Sequence, residues 1–249
     1  MIKLKSYPRR TILLVLCLIG ISLLFTAIKV YLLTCDNTWK EFETSLHTNE
    51  VIIDAVQDNA IVYMVTSQSG NTDYGDTLVV FSQRNDGSWQ RIYNNDFKNL
   101  KPWKIELADI DGNGSKEILI AVNKTSHFDK SEKNRMFIFN YADNKLIKKW
   151  TGSEIAGIWE NFAAGDFVPI KGDELVFIRQ VENGERVSVY YWFDFGFLLL
   201  AESNDYEDIL SVSIRGENSI LISYREDGKE RSVTLKAKDE KLKEAGKDQ

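Results

Sequence analysis

The spacing of apolar residues changes along the chain, and each change marks a different element. From Thr11 to Thr34 they are nearly continuous, with Lys29 the one charge. As a helix, that run is long enough to cross a bilayer core of ~30 Å. Trp39, Phe42 and Leu46 then fall at helical intervals, after the capping-box spacing of Thr38 to Glu41. Residues 36–50 therefore read as a short helical stalk. From Val51 onward, short runs rich in Val, Ile, Phe and Tyr alternate with Asn, Asp and Gly turns, the pattern of β-strands. The predicted strands are 51–56, 60–66, 76–82, 88–93, 103–109, 116–122, 134–140, 145–150, 158–165, 173–180, 186–193, 196–201, 207–214, 218–224 and 230–236. Residues 237–249 are nearly all charged or small and read as a disordered tail.

The strands recur in units. Leu107-Ala108-Asp109 through Glu117-Ile118-Leu119-Ile120 aligns with Ala164-Gly165-Asp166 through Glu174-Leu175-Val176-Phe177. Hairpins follow at matching places: Met136 to Trp150 around Asp143-Asn144, Thr77 to Tyr93 around Asn85-Asp86-Gly87, and Val187 to Leu200 around Asp194-Phe195-Gly196. A weaker unit runs from Ile209 to Leu235. Four short antiparallel strands per unit predict an all-β, propeller-like domain of about four blades over 51–236. Four is few for a closed ring, and an open ring would leave a sheet edge to be covered.

The Asp109–Glu117 stretch carries the most specific chemistry. Side-chain oxygens stand at alternate positions, Asp109, Asp111 and Asn113, around Gly112 and Gly114, with the carbonyl of Ser115 and the carboxylate of Glu117 to follow. Such a curl of oxygens suits a hard cation, and Asp/Gly/Asn turns also form without one. The position an EF-hand reserves for a carboxylate is Ile120, which excludes that motif. The spacing resembles the calcium loop of FG-GAP and VCBS-type β-propeller repeats, except that Glu117 stands where Asp is usual. The resemblance implies a structural Ca2+ held by Asp109, Asp111, Asn113, Ser115 and Glu117. In the second copy Val168 and Ile170 replace the middle ligands, so that turn keeps its end points without the cation chemistry.

Charge and cysteines narrow the setting. Lys3, Lys5, Arg9 and Arg10 precede the apolar segment and no acid occurs before Asp36, which places the N-terminus on the cytoplasmic side. Residues 11–34 read as a signal anchor; a cleaved signal peptide and a lipid anchor on Cys35, after Leu32-Leu33-Thr34, are the alternatives. Cys17 and Cys35 are the only cysteines, so nothing past residue 35 rests on a disulfide or a thiol. The formal charge is −6 overall and −11 for residues 35–249. That acidity disfavours nucleic acid and suits cations or a basic partner.

No phosphate-binding loop, nucleophile elbow or HExxH is present. His47 and His127 lack metal-ligand spacing. The polar loops 67–76 and 123–135 occupy equivalent places in consecutive units and are expected to share one rim. The sequence therefore points to a membrane-tethered, extracytoplasmic binding or assembly module with one calcium-stabilised loop, a protein or glycan partner and no enzymatic activity. The rival readings are a propeller enzyme acting on an envelope polysaccharide, with Asp54, Glu117 and Asp173 as candidate carboxylates, and a subunit of a larger membrane complex.

Overall fold

A computed structural model describes Trp39, Phe42, residues 45–152 and residues 154–246. The chain divides into two compact units, 1–46 and 47–249. The apolar segment 11–34, with the transmembrane helix expected there, lies outside the described residues. Among the described residues no helix is long and apolar enough to cross a membrane. Most of the expected stalk lies in the first unit, where the described residues show single turns. The Phe42 N–H donates to the Trp39 carbonyl at 3.0 Å and the Leu46 N–H to that of Phe42 at 3.1 Å.

The second unit is built of strands: β1 (Val51–Asp58), β2 (Ile61–Ser67), β3 (Thr77–Gln83), β4 (Trp89–Asp96), β5 (Pro102–Ala108), β6 (Glu117–Lys124), β7 (Lys133–Ala142), β8 (Lys145–Thr151), β9 (Trp159–Gly165), β10 (Glu174–Val181), β11 (Gly184–Phe193), β12 (Gly196–Tyr206), β13 (Asp208–Ile214), β14 (Ile220–Glu226), β15 (Lys229–Lys238) and β16 (Lys241–Glu244). β1 to β4 and β5 to β8 form two four-stranded antiparallel sheets. β9 to β12 and β13 to β16 are two further antiparallel sets, fused into one eight-stranded sheet where β16 lies parallel to β12 at Glu202 and Lys241. We call the four sets modules 1 to 4.

The sheets stack face to face, which explains their composition. β6 reads Glu-Ile-Leu-Ile-Ala-Val without polar alternation because both of its faces are covered. Ile118, Ile120 and Val122 enter the apolar layer shared with module 1, beside Val65, Leu78 and Val80. Leu119 and Ala121 enter the layer shared with module 3, beside Trp159, Phe162 and Phe177. A third layer, including Val176, Val189, Ile220, Ile222 and Leu235, joins modules 3 and 4.

The repeat extends to irregularities. The first strand of every module breaks register at the same place, leaving one unpaired residue: Ile53, Trp103, Glu160 and Leu210. The third and fourth strands of modules 1 to 3 repeat a second bulge, at Ile92, Lys149 and Leu200. A bulge adds local twist and re-aims one side chain, so a bulge repeated at equivalent positions is a built feature of the module.

The charged segment after residue 236 departs from expectation. β15 runs on to Lys238, Asp239 and Glu240 turn with φ of 54° and 59°, and β16 pairs back with Leu242 3% exposed. One buried leucine and two strand neighbours order a segment whose composition alone suggests disorder.

Candidate binding cleft and acidic loop

The Asp-to-Glu turns of modules 2 and 3 have the same internal construction. In each, the closing glutamate is fully buried and its carboxylate accepts the N–H of the residue after the opening aspartate. Glu117 accepts from Ile110 at 3.1 Å, and Glu174 from Phe167 at 2.8 Å. Ile110 and Phe167 are themselves fully buried, so the glutamate ties the turn to the layer behind it. The two turns also bind each other. The Asp109 N–H donates to the Asp173 carboxylate at 2.8 Å and the Asp173 N–H to the Asp109 carbonyl at 2.8 Å. Gly172 makes that approach feasible: its φ is +91°, and a Cβ there would lie 2.3 Å from the Ile110 carbonyl oxygen.

The loop residues expected to hold calcium do converge in part. One carboxylate oxygen from each of Asp109, Asp111 and Glu117 lies within 4.8 Å of the others. The remaining oxygens are engaged within the turn. Asp109 accepts the N–H groups of Asn113 at 3.0 Å and Gly114 at 2.8 Å, and the Asn113 side chain accepts that of Ser115 at 2.8 Å. The cation among the carboxylates is the ammonium of Lys149, which donates to Asp111 and, at 2.6 Å, to Glu117. Burial pushes the Glu117 carboxyl up more than Lys149 draws it down. Burial also raises Asp111, but there Lys149 prevails and the net shift is downward. Burial pulls Lys149 down, and its two carboxylate partners more than reverse that. As arranged, an ammonium holds two of the three carboxylates that a divalent ion would need.

A second cluster lines the first strands. The residues just after the bulges of modules 1 to 3, Asp54, Lys104 and Asn161, are polar and meet across the module boundaries. Asp54 accepts the Ile105 N–H at 2.9 Å. Lys104 donates to the Asn161 side chain at 2.9 Å and pairs with Glu106 at 2.8 Å, and Glu106 accepts the Ala164 N–H at 2.8 Å. Burial raises both carboxyls, Asp54 and Glu106, against the lowering influence of Lys104. Sequence reasoning singled out Asp54 and missed Lys104 and Glu106. Their alternation with Ile105 in an otherwise apolar strand was the available signal. The structure does not group Asp54, Glu117 and Asp173: each accepts backbone N–H groups in its own surroundings.

The bulge residues themselves face a cleft of about 340 Å3. Ile53, Trp103 and Glu160 line it from three modules, and Thr72, Asp73 and Tyr74 close it from the loop 67–76. Gly75 anchors that loop by donating to the Pro102 carbonyl at 2.6 Å. Asn134, at the end of the loop 123–135, completes the lining and accepts the Trp103 indole N–H at 3.1 Å. The loop 67–76 thus contributes to the cleft directly, and the segment 123–135 only through Asn134, which belongs to β7. The rest of the second loop is drawn together by Asp129, which pairs with Lys133 at 2.8 Å and Arg135 at 3.1 Å. His127 stacks edge-on against Phe128, and His47 lies at the start of the second unit; neither lines the cleft.

No family model matches the chain, and no curated protein is similar to it at a significant level. Among solved structures, the chain is similar to one described as a "putative 6-phosphogluconolactonase" from Bacteroides uniformis, with a TM-score of 0.53 and 12% identity, over 79% of this chain and 54% of that one. The chain therefore spans about half the length of that structure. At such identity the likeness concerns the fold. It corrects the expectation that this architecture sets enzymatic activity aside, since the same fold is described as an enzyme.

Proposed function

We propose that residues 51–246 are a propeller-type binding module, of the kind the FG-GAP and VCBS resemblance implies. The apolar segment 11–34 holds it on the outer face of a membrane, and it takes a basic partner segment at the cleft of the bulges. The cleft carries the reading: Asp73 and Glu160 supply two carboxylates, Tyr74 and Trp103 two aromatic rings, and among the described residues no lysine or arginine lines it. Carboxylates beside aromatic faces suit a guanidinium or ammonium on an apolar stem. The net charge of −11 beyond residue 34 would draw such a partner in. The test is titration of an arginine-rich peptide followed by tryptophan fluorescence. D73N/E160Q is expected to bind about tenfold more weakly, with a shallower salt dependence. Equal affinity for wild type and variant would refute the assignment.

One observation favours a second reading. Asp54 and Glu106 lie around Lys104 beside the bulges, and burial raises both carboxyls, the direction of shift a general acid requires. Turnover of an envelope glycan or a sugar lactone, lost in D54N, would support it; no turnover of either would remove it.

A further inference from the structure

We infer that Lys149 is the resident counterion of the Asp109–Glu117 turn, an internal ammonium standing where the loop's sequence suggests a divalent ion. The argument rests on comparing two modules within one chain. Lys149 is the bulged residue between the third and fourth strands of module 2, since Ile138 faces Trp150 and Phe139 faces Lys148. In module 3, Val189 faces Ala201 and Tyr190 faces Leu199, which leaves Leu200 in the same bulge. Asp111 and Val168 hold the same place in their turns, each two residues after the opening aspartate. The acid–lysine pair Asp111 and Lys149 in module 2 thus has an apolar counterpart in module 3. There Val168 and Leu200 both pack against the layer between modules 3 and 4. The two positions differ together between the modules, charged in one and apolar in the other, as expected if each is the other's partner. A loop built for an external ion would have no reason to link its middle ligand to a residue on the far strand of its sheet.

The position of Lys149 also suits it to the task. Its side chain is 13% exposed, that of Asp111 is 26% exposed and that of Glu117 is fully buried. Its ammonium lies 5.6 Å from the centre of the Trp192 ring on β11, so the same charge joins the turn of module 2 to a strand of module 3. Removing it would leave Asp111 and Glu117 to repel each other without a counterion, whereas removing it together with Asp111 would recreate the module 3 arrangement, with the buried glutamate alone.

Thermal unfolding of the full chain tests this with K149L, D111V and D111V/K149L, each with millimolar calcium and with chelator. Wild type is expected to melt at one temperature in both conditions. K149L should fall by about 10 °C, because breaking a buried pair costs far more than replacing it. The double variant should lose less than the two single variants together, keeping the cost of Glu117 left without an ammonium, as Glu174 is in module 3. A calcium-dependent rise in wild type would overturn the inference, as would a double variant whose loss equals the sum of the single ones. If K149L does not fold, calorimetric titration of wild type with calcium still decides, since measurable binding would contradict a resident ammonium.

Discussion

Glu174 should make this fold lose stability as pH rises through neutrality. Its side chain is fully buried, and one oxygen accepts the N–H groups of Phe167 at 2.8 Å and Val168 at 3.2 Å. The other oxygen has no hydrogen-bond partner among the described residues. Module 3 places Leu200 where module 2 offers Lys149, so no ammonium compensates an ionised Glu174. Burial, with Asp166 and Asp173 nearby, pushes its pKa up from 4.5 to about 7. A folded value above the unfolded one means that the folded state holds the proton more tightly. The resulting stability is complete below about pH 4.5 and is lost as pH rises through about 7. The interval of about 2.5 units, at 1.36 kcal/mol each, gives about 3 kcal/mol as an upper measure. Glu174→Gln keeps an acceptor for both N–H groups and cannot ionise. Urea unfolding at about pH 5 and about pH 8 should show wild type and E174Q close together at the lower value, and E174Q more stable by up to about 3 kcal/mol at the higher. Using the difference between the two proteins cancels the other carboxyls, some of which burial raises and others of which ion pairs lower. Parallel pH profiles would refute the reasoning.

Two further predictions concern packing. Gly172→Ala should cost several times more than Gly114→Ala in denaturant unfolding. Both glycines have φ near +90°, but a Cβ at 172 would meet the Ile110 carbonyl while one at 114 meets nothing; the second should cost about 1 kcal/mol. Leu242→Ala should cost about 2 to 4 kcal/mol if β16 is part of the fold, and a value near zero would return residues 237–246 to the status of a loose tail.

The strands were legible because a sheet covered on both faces must be built from runs such as Ile118 to Val122, bounded by turn residues. The recurrence of Asp109 to Glu117 as Asp166 to Glu174 was legible because a tight turn fixes its end points whatever lies between them. β16 was hidden for the converse reason. Lys241-Leu242-Lys243-Glu244 has a single apolar residue, and its turn places Asp239 and Glu240 at positive φ without a glycine to announce it. Lys149 was hidden by the bulge. Lys148 and Lys149 are adjacent in the sequence, and only the register break shows that one of them turns toward Asp111 and Glu117. The part of the loop 67–76 in the cleft could be anticipated from its polarity, but not the bulges that turn Ile53, Trp103 and Glu160 into it, since bulge positions depend on strand pairing. The alternation of Lys104 and Glu106 around Ile105 was visible and carried more information than its charge suggested.

The most direct measurement of whether the bulged cleft receives a basic segment is hydrogen exchange with and without a saturating arginine-rich peptide. Protection is expected around Ile53, Tyr74, Trp103 and Glu160. Protection confined to the β11–β12 hairpin, where Phe193 is 60% and Phe195 82% exposed, would contradict the account and place the partner on the outer edge of module 3.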